Sequence, residues 1–260
     1  MTRGPVGMVF DRALTPELLS VALRVATESG GSPDARRLLT IALRDHVSPQ
    51  EAKGKMKKCL SRVWVNPPAN AREMIRWAID HQHLDVDGTV LHMGAVLATF
   101  PFAGVVAAIV GRQLHLEGAV DPRRVRAEAR VSLGDRSSVD VGARKVVTTM
   151  RYLGLLAGPS RGPLGLGRQP TVDSALLRWV THAVLLTRQV GAVGVDEPSR
   201  ALELATLKLG DGQSDNYPFL ELHVEGARII ATPRVTASDR RVNVDLRWPA
   251  PEFQGKFDLG

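Results

Sequence analysis

The sequence predicts a mainly α-helical bundle that carries two helix-turn-helix or winged-helix-like units and a small C-terminal β-hairpin. Three observations predict it. Apolar residues recur at helical spacing through most of the chain, Ser/Thr/Asp-Pro pairs stand where those runs begin, and period-two alternation is concentrated in one late stretch, PFLELHVEGARIIATPRV. At 260 residues, with 44% hydrophobic and 23% charged residues, the chain can bury a full core and has the composition of neither a disordered nor a polytopic membrane protein.

Leu14 to Glu28 reads as a helix entered through Thr15-Pro16-Glu17 and stopped by Gly30-Gly31. Ser32-Pro33-Asp34 opens a second helix through Leu43, and Ser48-Pro49-Gln50-Glu51 opens a third. Proline suits the first helical position because its φ is already helical and its missing N–H has no partner there. The third helix, SPQEAKGKMKKCLSRVWV, turns Ala52, Met56, Cys59, Leu60 and Val63 inward and Lys53, Lys55, Lys57, Lys58 and Arg62 outward. After Asn66-Pro67-Pro68 comes a fourth helix, ANAREMIRWAIDHQHL.

GTVLHMGAVLATFPFAGVVAAIVG, Gly88 to Gly111, has no charged residue. A membrane helix needs about 20 apolar residues. Here glycines dilute the run, and Phe100-Pro101-Phe102 splits it, because proline breaks the hydrogen-bond ladder and biases the preceding residue away from helix. Two buried helices, Thr89 to Thr99 and Phe102 to Leu116, are expected.

Asp121-Pro122 caps a helix to Leu133, Gly134-Asp135 turns, and Ser137 or Ser138 caps another to Leu153. Val139, Val141, Val146, Val147, Met150, Leu153 and Leu156 read as its buried stripe. PSRGPLGLGRQP, Pro159 to Pro170, is a Gly/Pro-rich loop. Beyond it come a helix in TVDSALLRWVTHAVLLTRQVG, another over Glu197 to Leu207, a hairpin about Glu225-Gly226-Ala227 and a strand in RRVNVDLRW. Segments are expected at 1–87 (helical, with a basic unit), 88–158 (apolar middle and second basic unit) and 159–260.

The formal charge is +7 and it is unevenly spread. Pro33 to Val65 has eight Lys/Arg against three acids, and Asp121 to Ala157 has eight against four, while the remaining residues sum to −2. A basic excess confined to two windows favours polyanionic partners, nucleic acid first. A solvated basic surface is the alternative.

Chemistry of other kinds lacks a pattern. His81, His83, Asp85 and His92 cluster without metal-helix spacing, there is no Cys pair, and Cys59 sits on an apolar face. There is no nucleophile elbow, and GPLGLG lacks the Lys-Ser/Thr of a phosphate loop. The expectation is a non-enzymatic protein with no cofactor and no metal. The N-terminal MTRGPVGMVFDRALTPELL lacks the continuous apolar run of a signal peptide, and a lone cysteine suits a reducing cytoplasm; no membrane partner is expected.

Each basic window holds a helix, a capped turn and a second basic helix, the order of a helix-turn-helix whose second helix enters the major groove. The candidate DNA-binding residues are Lys53, Lys55, Lys57, Lys58 and Arg62 in the first unit, and Arg136, Ser138, Arg144, Lys145, Thr148 and Arg151, with Thr149 on the same face, in the second. Arg161 and Arg168 in the loop beyond it are candidates for a wing or basic arm.

An N-terminal helical unit, the basic AKGKMKKCLSRVWV, the apolar VLHMGAVLATFPFAGVVAAIVGRQL, then a charged helix and a basic one ending in MRYLGLLAG: this order resembles BrxA, the accessory protein of bacterial BREX phage-exclusion systems. The resemblance spans roughly Leu14 to Leu156. It implies a mostly helical protein that binds double-stranded DNA beside other defence-system proteins, and it carries over no catalytic or base-reading residue. The longer loop at 159–170 and the Arg/Val-rich composition depart from that pattern. A helix-turn-helix transcriptional repressor, and an assembly subunit that never touches DNA, are the rival expectations.

Overall fold

The computed structural model describes residues 10–48, 54–194, 200–210, 217–225 and 228–234. Within them the chain is mainly helical. Helix α1 (Pro16–Ser29) starts as its sequence dictates: the Thr15 hydroxyl accepts from the Leu18 N–H at 3.3 Å, and Gly30 ends it in the left-handed region at φ 55°. α2 (Ala35–Ala42) runs on as a 3-10 turn to Asp45.

The next two helices are shorter than expected. α3 (Lys55–Leu60) widens into a π turn over Ser61–Val65, and α4 (Arg72–Asp80) is flanked by 3-10 turns at Ala69–Ala71 and Gln82–Leu84. The π turn buries the adjacent Val63 and Trp64 together, and Pro67-Pro68 stops any continuation. Residues 49–53, Lys53 among them, lie outside the described residues.

The uncharged stretch forms α5 (Thr89–Thr99) and α6 (Pro101–Glu117), bent by 119° at Phe100, with Pro101 at the start of the second helix. All of α5 is buried, so its lack of charge reflects a core position. No single described helix is long and apolar enough to cross a membrane; these two reach that length only together, across the bend.

α7 (Pro122–Leu133) and α8 (Ser137–Tyr152) come next, with boundaries within a residue of those expected. β1 (Leu156–Ala157) then pairs antiparallel with β2 (Gly165–Leu166). β3 (Thr171–Val172) leads into α9 (Ser174–Arg188), whose Asp173 carboxylate accepts from the Leu176 N–H at 2.9 Å. α9 closes the core over α5 and α6 because two glycines let it approach. A Cβ at Gly94 would lie 2.1 Å from Trp179, and one at Gly104 would lie 1.8 Å from Thr187. The same two α9 residues hydrogen-bond backward, Trp179 Nε1 to the Met74 carbonyl at 3.0 Å and Thr187 Oγ1 to the Leu97 carbonyl at 2.6 Å.

The helix expected over Glu197 to Leu207 is not formed in its described part. Residues 195–199 lie outside the described residues, and from Arg200 the chain makes one 3-10 turn, Leu202–Leu204, that leads to β5 (Lys208–Leu209), parallel to β3. Glu203 explains the difference. It is buried and takes both a 2.8 Å and a 3.0 Å hydrogen bond from Arg188 of α9, so this segment is pinned to the core by an ion pair that helical periodicity does not reveal.

β4 (Val193–Gly194), β6 (Leu220–Glu225) and β7 (Arg228–Pro233) make an antiparallel sheet in the order β4-β7-β6. Glu225 opposes Arg228, so the hairpin reverses where expected. RRVNVDLRW and the tail beyond it lie outside the described residues. One cluster of buried side chains, from Phe10 to Ala231, runs through all three of the segments predicted from sequence.

Candidate nucleic-acid interface

The second basic window is built on α6. Gln113, 1% exposed, accepts from the Asp121 N–H through Oε1 and donates through Nε2 to Glu128, each at 3.0 Å, while the Asp121 carboxylate accepts from the Arg123 N–H at 2.8 Å. These bonds fix the start of α7 against α6. A three-residue turn, Gly134 to Arg136, then reverses the chain into α8, and Arg126 reaches Asp140 at 3.1 Å to hold the two helices together.

Val120, between α6 and α7, pairs antiparallel with Leu164, and β2, just beyond Leu164, pairs with β1. The resulting strand order is Val120, then 164–166, then 156–157. In chain order the segment reads helix, single-residue strand, helix, turn, helix, strand, loop, strand. The loop between β1 and β2 holds Gly158 at φ 146° and Gly162 at φ 117°, angles that side chains disfavour, with Arg161 exposed between them.

α8 packs Val139, Ala143, Val146, Val147 and Met150 inward. Its outer side carries Ser138, Val141, Arg144, Lys145, Thr148 and Tyr152, of which Lys145 and Thr148 are half-buried. Two sequence expectations are corrected here. Thr149 is buried and accepts from the Leu14 N–H at 2.9 Å, since five residues at about 100° each carry it well away from Arg144. Val141 is 40% exposed, because two such steps put it opposite Val139.

Ion pairing sorts the cations. Arg124 pairs with Glu117 and Glu128, Arg126 with Asp140 and Arg130 with Asp135, so α7 is largely neutralised. Arg144 and Lys145 make no ion pair among the described residues, and Arg123, exposed at the start of α7, makes none either. Sequence reading passed over Arg123, although its place in a helical first turn was legible. Arg136 folds back onto the Leu133 carbonyl at 3.0 Å, and Arg151 donates to the Gly158 carbonyl at 3.2 Å, tying α8 to the loop.

Two candidates serve the fold instead. Arg62 is half-buried, donates from Nε to the Thr99 carbonyl at 2.8 Å and lies 5.2 Å from the Phe100 ring centre, so it stabilises the α5–α6 break; burial lowers its pKa. Arg168 pairs with Asp87 and donates to Thr89 at 2.8 Å, anchoring the exit of β2 to the start of α5. Lys55 and Lys58 are exposed and Lys57 is half-buried, but α3 presents them on six residues of α-helix.

Elsewhere, Cys59, Asp85, His81 and His92 each make contacts within the fold. Cys59 is 2% exposed and burial pushes its thiol up. Asp85 accepts from the Leu91 N–H at 2.8 Å, His81 stacks on Trp77 with ring centres 4.2 Å apart, and His92 is buried with Nε2 3.1 Å from Ser20 Oγ. No group of three metal-ligating side chains occurs among the described residues. A cleft of about 680 Å³ between the end of α6 and Ala201–Leu209 is lined mostly by leucines. No family of proteins, no curated protein and no solved structure matches this chain.

Proposed function

We propose that this chain is a non-enzymatic double-stranded DNA-binding protein of the cytoplasm, and that α6 to β2 forms a winged-helix unit. In this reading α8 enters the major groove and the 158–163 loop is the wing. The observation that carries it is the coincidence of strand order and charge. Val120, 164–166 and 156–157 pair in the order a winged helix requires, and the helix that such a unit inserts is the one whose outer cations, Arg144 and Lys145, have no acidic partner among the described residues.

Roles follow from side-chain chemistry. Arg144 and Lys145 reach base edges or phosphates, Ser138 and Thr148 supply hydroxyls, Val141 offers an apolar contact to a thymine methyl, and Arg123 and Arg161 bind flanking phosphates. The BrxA-like order of segments supports a setting in phage defence beside other proteins of such a system. α3, with Lys55, Lys57 and Lys58, is a second and weaker contact surface.

The test is fluorescence anisotropy on an unrelated 30-base-pair duplex across a salt series. Replacing Arg144 and Lys145 together by alanine is expected to weaken binding at low salt and to reduce the slope of log K against log [salt] by about 2, roughly one for each phosphate no longer neutralised. An unchanged slope would mean that α8 does not face the duplex.

A further inference from the structure

Among the described residues β6 is an edge strand. Its polarity follows from one hydrogen bond. The Arg234 N–H donates to the Phe219 carbonyl at 2.8 Å, in the register that also sets Glu221 opposite Thr232 and His223 opposite Ile230. Because antiparallel pairs alternate between bonded and non-bonded, residues 219, 221, 223 and 225 turn their backbone groups toward β7. Leu220, Leu222 and Val224 therefore turn theirs away from it, toward the open edge.

The distal half of the strand stands clear of the body: Leu222 is 36% exposed and Val224 is 77% exposed. LELHVE contains no proline and no lysine, and its pairing with β7 has no bulge, so of the usual devices that blunt an edge only the charges of Glu221 and Glu225 are present. Leu220, Leu222 and Val224 share one face of the sheet, where Ala231 and Pro233 oppose Leu222 and Leu220. Glu221, His223 and Glu225 share the other.

We infer that β6 pairs antiparallel with β6 of a second copy of this chain, about a two-fold axis through Leu222. A two-fold perpendicular to the sheet keeps each face on its own side, so only residues of like parity oppose one another. Centring on Leu222 sets Leu222 against its own copy, Leu220 against Val224 and Glu221 against His223. The outward backbone groups of Leu222 then meet as a hydrogen-bonded pair. Centring on His223 would satisfy the outward backbone groups equally, through Leu222 against Val224, but would set Glu221 against Glu225 and His223 against its own copy. The chosen register matches apolar with apolar, acid with imidazole and free donors with free acceptors, twice over, as an isologous contact requires. The two three-stranded sheets become one of six strands, in the order β4-β7-β6-β6-β7-β4.

Sedimentation equilibrium on the full chain without DNA tests this independently of the DNA-binding reading. Twice the chain mass is expected for the native sequence, falling to one chain mass for Leu222→Lys, with the far-ultraviolet circular dichroism unchanged. A gain-of-bond experiment guards against a variant that misfolds. Leu222→Cys brings two Cα atoms to about 5.5 Å, within the range a disulfide spans, so it should cross-link to itself under mild oxidant. Val224→Cys, displaced four residues from its copy or about 13 Å, should not. A native chain that sediments as a monomer at high micromolar concentration overturns the inference. So does equal cross-linking at 222 and 224, or a monomer whose Leu222 and Val224 amides resist hydrogen exchange, which would mean that the rest of the chain covers this edge.

Discussion

Val120 and Leu164 donate to each other's carbonyls, at 2.7 and 2.8 Å, and so one residue pair joins the connection between α6 and α7 to the far side of the loop that carries Arg161. Leu164 is also 1% exposed, so its side chain anchors that loop into the core. Leu164→Ala is expected to lower unfolding free energy by about 2–4 kcal/mol, through reduced burial and the cavity left behind. Urea denaturation at constant m-value reads it; a loss below about 1 kcal/mol would mean that the loop is not anchored there.

Gly94 lies under Trp179 with no room for a methyl group. Gly94→Ala would force the indole out of place and strain its bond to the Met74 carbonyl, since α5 and α9 are both core helices. A destabilisation of about 3 kcal/mol or more is expected, at the upper end of overpacking costs, and a thermal melt within a degree or two of native would contradict the close approach. Alanine at Gly30, in the left-handed region at φ 55° with open space around it, should cost only about 1 kcal/mol, because the strain there is confined to the backbone.

The fold was legible at several points where local chemistry decides it, though not at the start of α8, where the expected Ser137 or Ser138 cap is absent and Arg136 precedes the helix without a side-chain cap. The Phe100-Pro101 break, the Asp121 cap and the reversal after Glu225 each depend on a few adjacent residues. Long-range pairings were not legible. A strand one residue long at Val120 has no alternation to detect, and the ion pair that Arg188 makes with the buried Glu203, 15 positions away, is invisible in a local reading of 200–207 as helix. The candidate site was half legible for the same reason. Lysines and arginines are visible in sequence, but whether Arg62 meets solvent or the Thr99 carbonyl depends on a residue 37 positions away.

His92 is buried in the core beside Trp64, with ring centres 5.7 Å apart, and burial lowers its pKa from 6.5 to about 4. A folded-state pKa below the unfolded value means that the unfolded chain binds the proton more readily. Stability is therefore full above pH 6.5 and is lost as pH falls toward 4. Between pH 7.5 and 5 the loss is about 2 kcal/mol, from the roughly 1.4 kcal/mol that each pKa unit represents. Urea denaturation at the two pH values should show it, and in His92→Gln, which cannot titrate, that contribution should vanish whatever the variant's absolute stability. The same pH dependence in His92→Gln would assign it to other groups.

Arg62 and Arg161 separate fold from function, because both are candidate DNA-binding arginines and only one reaches solvent freely. Arg62→Ala removes a hydrogen bond to the Thr99 carbonyl and a ring interaction, and is expected to cost about 1–3 kcal/mol of stability. The salt slope of DNA binding should stay as it was. Arg161→Ala alters nothing buried, so the melting temperature should hold while duplex affinity falls and the slope drops by about 1, the share of a single phosphate. Thermal melts and anisotropy on both variants read the four quantities. If Arg62→Ala changed the slope and Arg161→Ala did not, the DNA surface would have to move from the 158–163 loop to α3.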